Sequence, residues 1–124
     1  MRRRLGSLVY ALLAAFAVLL LAERFVVWHF DPLDANPAGK VVLYSAQWCG
    51  FCAQIRECFV TSRVPFEERD VERSLRASAE WWALKVPGVP ATLIGKELIY
   101  GFQTRKLTEA LDRSGIKVSC WDAS

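Results

Sequence analysis

Val41-Val42-Leu43-Tyr44-Ser45-Ala46-Gln47-Trp48-Cys49-Gly50-Phe51-Cys52 sets a run of apolar side chains just ahead of two cysteines at i and i+3. Val41 to Tyr44 shows no polar alternation, the pattern of a strand buried on both faces of a sheet. Ser45 to Trp48 then turn the chain into a helix that starts at the cysteines. Side chains at i and i+3 share one side of a turn, within reach of a disulfide. The first cysteine also lies over the unpaired N–H groups of the helix start, where those donors and the positive end of the helix dipole stabilise a thiolate. Cys49 is therefore expected as the attacking thiol of disulfide exchange and Cys52, one turn deeper, as the resolving thiol.

Cys-x-x-Cys is also half of a zinc site. The other candidate ligands, His29, Cys58 and Cys120, are scattered over the juxtamembrane stretch, a helix and the tail. No metal and no cofactor is expected, and a purely structural Cys49–Cys52 bridge is the remaining alternative. Cys58 lies nine positions beyond Cys49, about 13 Å along an ideal helix and on its opposite face. It reads as a small buried hydrophobe. Cys120, in a polar tail, is left free, paired with Cys58, or linking two chains.

Downstream, Ile55, Cys58, Phe59 and Ser62 recur at helical spacing, giving an inward stripe. Val64-Pro65 opens a second strand over Phe66 to Val71. Arg73 to Leu84 reads as a helix with Leu75, Ala79 and Trp82 on one side, ended by Pro87-Gly88-Val89-Pro90. Ala91 to Ile94 and Glu97 to Tyr100 flank Gly95-Lys96 as a hairpin with a two-residue turn. A final helix from about Thr104 to Ser114 turns Leu107, Ala110 and Leu111 inward. The order β-α-β-α-β-β-α predicts an α/β domain on a mixed four-stranded sheet.

Upstream, no charged residue falls between Leu5 and Ala22, and Arg2, Arg3 and Arg4 precede that run. Eighteen helical residues reach about 27 Å, just short of a hydrocarbon core of about 30 Å. Phe25 to Trp28 can supply the rest, with Trp28 suited to the interface. A cleaved signal peptide fits less well, because Ala15-Phe16-Ala17 lies inside the apolar run and Leu20 occupies a position that wants a small side chain. The expectation is a retained single-pass transmembrane helix. The arginines place its N-terminus in the cytoplasm and the domain on the outer, periplasmic side. The chain then divides into an anchor with its juxtamembrane segment at 1–28, a linker at 29–39, a folded domain at 40–115 and a tail at 116–124.

Of the formal charge of +3, residues 36–124 carry only +2, and the basic pI owes much to the N-terminal arm. Residues 36–124 hold 12 Lys and Arg against 10 Asp and Glu, so no nucleic-acid footprint is present.

Over residues 40–113 the sequence resembles the glutaredoxins of the thioredoxin superfamily. The matching pieces are Val41 to Tyr44 before the redox motif, Val64-Pro65-Phe66-Glu67-Glu68-Arg69-Asp70-Val71, Gly88-Val89-Pro90, and Gly101-Phe102 before the last helix. The resemblance implies a thioredoxin-like fold in which Pro90 is a cis proline facing the cysteines, with the backbone just before it pairing with an extended substrate. The expected substrate surface is Trp48, Phe51, Val89, Pro90 and Gly101, in which the apolar rim of Trp48, Phe51 and Val89 suits a protein substrate, simple packing of the aromatics being the alternative. Two departures bear on the substrate. Glutathione-using members usually carry a lysine where this chain has Ala46, and an acidic residue where it has Gln103 and Thr104. Ala46-Gln47-Trp48-Cys49-Gly50 is instead similar to the approach to the thioredoxin active site. Tyr100-Gly101-Phe102-Gln103 is similar to redoxins served by thioredoxin reductase.

The expected function is that of a membrane-anchored thiol–disulfide oxidoreductase whose partners are protein thiols and disulfides. A glutathione-dependent reductase facing the cytoplasm and a non-catalytic binding domain are the alternatives, and the direction of electron flow is left open.

Overall fold

Strand β1 (Val41–Ser45) is buried along its whole length, because both of its edges are paired and both of its faces are covered. The computed structural model describes residues 2–121. Before β1 come a long helix α1 (Arg2–Phe30) and a single turn α2 (Pro32–Ala35). After it come α3 (Gly50–Thr61), β2 (Phe66–Asp70), α4 (Leu75–Ala83), β3 (Ala91–Ile94), β4 (Glu97–Tyr100) and α5 (Thr104–Arg113). The sheet order is β2-β1-β3-β4, parallel between β1 and β2 and antiparallel elsewhere, the expected mixed four-stranded sheet. At the hairpin Ile94 faces Glu97, and Gly95 takes φ +60, which a β-carbon disfavours.

The alternating side chains of β1 feed two cores. Val41 and Leu43 pack with Ile55, Phe59, Leu107 and Leu111 of α3 and α5 on one face. Val42 and Tyr44 pack with Leu84 and Leu93 on the other, under α4. The α3 and α5 stripes are as read, except that Ser62 is only half-buried.

Leu75, Ala79 and Trp82 share one side of the helix in the sequence, but Leu75 is 92% exposed and Trp82 51%, while the buried residues of α4 are Ala77, Glu80 and Ala83. The reason is polar. Glu80 is buried because the Tyr44 hydroxyl donates to it at 3.0 Å, Arg76 Nε donates at 3.0 Å, and Arg69 pairs with it as well. Burial, reinforced by the negative charge of Glu80, pushes the Tyr44 phenol above its ordinary range, so it stays a donor. Tyr44→Phe is expected to remove one hydrogen bond to a buried charge and cost about 1.5–3 kcal/mol. Urea unfolding would read this as a lower midpoint with an unchanged slope.

Two further segments differ from their expected character. The stretch read as a linker carries the end of α1 and then α2, where the Asp31 carboxylate accepts from Leu33 N–H at 2.9 Å. The buried Asn36 amide donates to the Gly95 carbonyl at 2.6 Å and to that of Lys40 at 3.0 Å, fastening this stretch to the β3–β4 turn. The tail packs too. Val118 is buried in the α3–α5 core, and Trp121 lies against Phe59 and Phe102. Residues 122–124 of the expected tail lie outside the described residues.

Helix α1 is long and apolar enough to cross a membrane, and its apolar window is not buried against the domain.

Candidate active site

The junction of β1 and α3 delivers the cysteine pair. Cys49 is the N-cap of α3, in extended conformation, and its Sγ accepts a hydrogen bond from the Cys52 N–H at 3.2 Å. That is the donor arrangement a thiolate at this position would use. Cys49 and Cys52 are joined as a disulfide with Cα atoms 5.2 Å apart, so one helical turn holds both sulfurs. Cys52 is fully buried and Cys49 is 6% exposed. Ala46 and Val89 pack around the pair.

The Val89–Pro90 peptide bond is cis, and Pro90 is buried. The loop is held from both sides: Trp81 Nε1 donates to the Gly88 carbonyl at 3.0 Å, and Gly101 N–H donates to the Pro90 carbonyl at 2.9 Å. Among the described residues no hydrogen bond uses the Val89 main chain. Its N–H and carbonyl are left unpaired at a residue that packs on the cysteine pair.

Around this centre the rim is aromatic and exposed: Trp48 is 71% accessible, Phe51 56% and Tyr100 41%. Trp48 is steadied by donation from its Nε1 to Glu72 at 2.6 Å. Phe51 stacks on Phe102, which meets Trp121 edge-on. Of the residues expected from sequence, Trp48, Phe51, Val89, Pro90 and Gly101 gather around Cys49 and Cys52. Gly101 does so through the bond of its N–H to the Pro90 carbonyl.

Tyr100 beside Gly88, the Glu72 brace and the Trp121 buttress were not read from sequence. Tyr100 had a signal, since an aromatic at the end of an edge strand next to Gly101 borders whatever that glycine approaches.

The polar surroundings leave few free charges. Arg56, in α3 and one turn from Cys52, is held bidentately by Glu68, which also accepts from Ser45 Oγ at 2.7 Å. Hydrogen bonding by Arg56 keeps the Glu68 carboxyl below its ordinary range. Ala46 is buried and apolar, and Gln103 Nε2 turns back to the Tyr100 carbonyl at 2.6 Å.

The remaining cysteines form a second pair. Cys58 of α3 and Cys120 are bonded, with Cα atoms 5.6 Å apart. This corrects the reading of Cys58 as an unpaired buried hydrophobe and settles which of the three fates of Cys120 holds here. Among the described residues no group of three or more His, Cys, Asp or Glu side chains is placed to hold a metal ion.

A Cys-x-x-Cys helix start facing a cis-proline loop on this sheet defines a thioredoxin-like domain. Residues 41–99 match the Glutaredoxin family model. Two curated Mycobacterium tuberculosis proteins that carry the glutaredoxin name are 32% identical over 41 residues, 33% of this chain. The chain spans about half the length of those relatives, 48%. The thioredoxin-like protein BC3987 superposes with a TM-score of 0.55 at 27% identity, covering 58% of this chain and 100% of that one. A buckwheat glutaredoxin in complex with glutathione superposes at 0.57 with 20% identity, covering 77% of this chain and 94% of the other. The folded domain is thus thioredoxin-like, and residues 41–99 of it are similar to the glutaredoxins.

Proposed function

We propose that this protein is a membrane-anchored thiol–disulfide oxidoreductase that exchanges disulfides with other proteins through Cys49 and Cys52. The observation that carries the reading is the unpaired Val89 main chain alongside the cysteine pair, flanked by the exposed Trp48, Phe51 and Tyr100. An extended protein segment can pair with that backbone and cover the aromatic rim.

In the reducing direction the Cys49 thiolate attacks one sulfur of the partner's disulfide. A mixed disulfide forms, and the partner's other sulfur leaves as a thiolate that takes up a proton. Cys52, deprotonated, then attacks Cys49 Sγ, closing the Cys49–Cys52 bond and freeing the second partner thiol. Two electrons pass from the pair to the partner, and the reverse order returns them. Cys52 is buried behind Cys49, which keeps the first attack on the outer sulfur.

The anchor rests on α1, with Leu5 to Ala22 as the span and the arginines before it on the cytoplasmic side. A periplasmic domain is supported by the Cys58–Cys120 bond, since disulfides persist in oxidising compartments. Glutathione is the second reading. It is favoured by the first turn of α5, where Arg105 and Lys106 lie beside backbone N–H groups that no side chain caps. Against it stand the apolar Ala46 and the pairing of Arg56 with Glu68. A charge-assisted bond is worth about 1.5–3 kcal/mol, so each missing contact weakens glutathione binding by about tenfold or more.

The rate of Cys49-dependent reduction of a protein disulfide is therefore expected to exceed that of a glutathionylated peptide. Stopped-flow measurements on the reduced protein make the comparison. Faster reaction with the glutathionylated peptide, saturating at low concentration, would favour the glutathione reading.

A further inference from the structure

The last two turns of α1 do not stand clear of the domain. Val26, Val27 and Phe30 are half-buried, while the residues of the apolar span are exposed nearly throughout. His29 and Phe30 line one cleft together with Arg76 and Glu80 of α4. Glu23 lines another with Trp82, Lys85, Val86 and Pro87. As α1 runs from Glu23 to Phe30, α4 thus runs the opposite way beside it. The C-terminal end of α4 is level with Glu23, where the apolar span ends, and its Arg76 end lies about 10 Å further out.

This antiparallel packing fixes which end of the domain faces the span. The corner at that end carries Trp82, half-exposed, and Lys85, exposed. An indole and a long-stemmed cation suit the headgroup layer. Glu23 and Arg24 are the first charges after the apolar run, and mark the same level. From this corner the chain passes through Val86, Pro87 and Gly88 to Val89, which packs on the cysteine pair. Two residues of chain reach at most about 7 Å. Pro87, which lines the same cleft as Glu23, is thus joined by two residues of chain to the Val89 that packs on the disulfide.

We propose that α1 docks the Trp82–Pro87 corner on the bilayer surface, so that the Cys49–Cys52 centre works at the membrane face on disulfides in juxtamembrane segments of other membrane proteins. This rests on the membrane-anchored oxidoreductase reading above, and adds to it the height at which the enzyme selects its substrate. The bilayer is the occupant of the corner because the helix that enters it is packed against that corner. A thiol pair held at one height meets cysteines at that height with a higher effective concentration than cysteines displaced along the normal.

The test uses the full chain, reduced at Cys49 and Cys52, reconstituted in phosphatidylcholine–phosphatidylglycerol vesicles. Two single-pass peptides carry the same disulfide loop, one directly after the apolar segment and one raised by a rigid helical spacer of about 30 Å. Single-turnover transfer of two electrons to the near loop is expected to be at least about tenfold faster than to the raised loop. A variant with Val26→Glu and a flexible Gly/Ser insertion of about ten residues after Phe30 frees the domain from α1. It should lose the preference while reducing a soluble protein disulfide at the unchanged rate.

Equal rates for the two peptides, or a preference that survives the flexible insertion, would overturn the inference. Vesicle flotation separates the two levels of the argument. A chain that fails to float with the vesicles sinks the anchored reading and this inference together. A chain that floats and exchanges disulfides without regard to height sinks this inference alone.

Discussion

Cys49→Ser is expected to reduce disulfide exchange to the uncatalysed background, a fall of several orders of magnitude, as when other covalent catalysts lose their nucleophile. The Cys49 sulfur is the one at the surface of the pair, and it alone receives the helix-start N–H of Cys52. A hydroxyl in its place is not ionised at neutral pH and forms no mixed disulfide. Cys52→Ser differs in kind. It keeps the attacking sulfur and its N–H donor but removes the group that resolves the intermediate, so turnover stops after one attack. In a single turnover of the reduced proteins with a protein disulfide and no added reductant, Cys49→Ser should release no partner thiol and Cys52→Ser only one, with the mixed disulfide left standing, where the unvaried protein releases two.

The second large effect is on stability. Cys120→Ser opens the Cys58–Cys120 bond, which closes a loop of sequence separation 62. Loop entropy alone puts the loss at about 4 kcal/mol, within an observed range of about 2–5 kcal/mol for native disulfides in small domains. Cys58 then remains as the small buried hydrophobe that its place on α3 allows. The tail loses its tether, and with it the anchoring of Trp121 against Phe59 and Phe102. A fall in Tm of more than about 10 °C is expected. The unvaried protein should reproduce most of that fall when a strong reductant is added. Equal Tm values for the variant and the oxidised protein would mean that the bond contributes nothing to the fold.

Strand β1, the α3 and α5 stripes and the Gly95-Lys96 hairpin were legible because their apolar residues recur at the period of the element they form, and packing follows that period. The cysteine pair was legible because its spacing and its place at a helix start are local facts. Pro90 and its cis bond were reached through the family resemblance, since nothing in the residues alone distinguishes that proline from a trans one.

The buried side of α4 was not legible, for a physical reason. It is organised by Glu80, whose partners Tyr44 and Arg69 lie on strands β1 and β2, so an apolar count, which marks the side bearing Leu75 and Trp82, does not reveal it. On the account given above, the exposure of Trp82 is what the membrane face requires. The same kind of distance hid the Asn36 staple to Gly95 and the Cys58–Cys120 bond, whose partners are 59 and 62 positions apart. At the site, the Trp48–Glu72 brace and the Trp121 buttress depend on loops meeting in space, which spacing does not encode.

The most direct test of the central claim is the identity of what Cys52→Ser traps. The full-length variant is expressed in its native membrane, exposed thiols are blocked with acid and an alkylating agent, and the adducts on Cys49 are mapped by mass spectrometry. The account predicts Cys49 joined to cysteines of other proteins, with no adduct on Cys58 or Cys120. An adduct population consisting of glutathione alone, or the same trapping by Cys49→Ser, would contradict it.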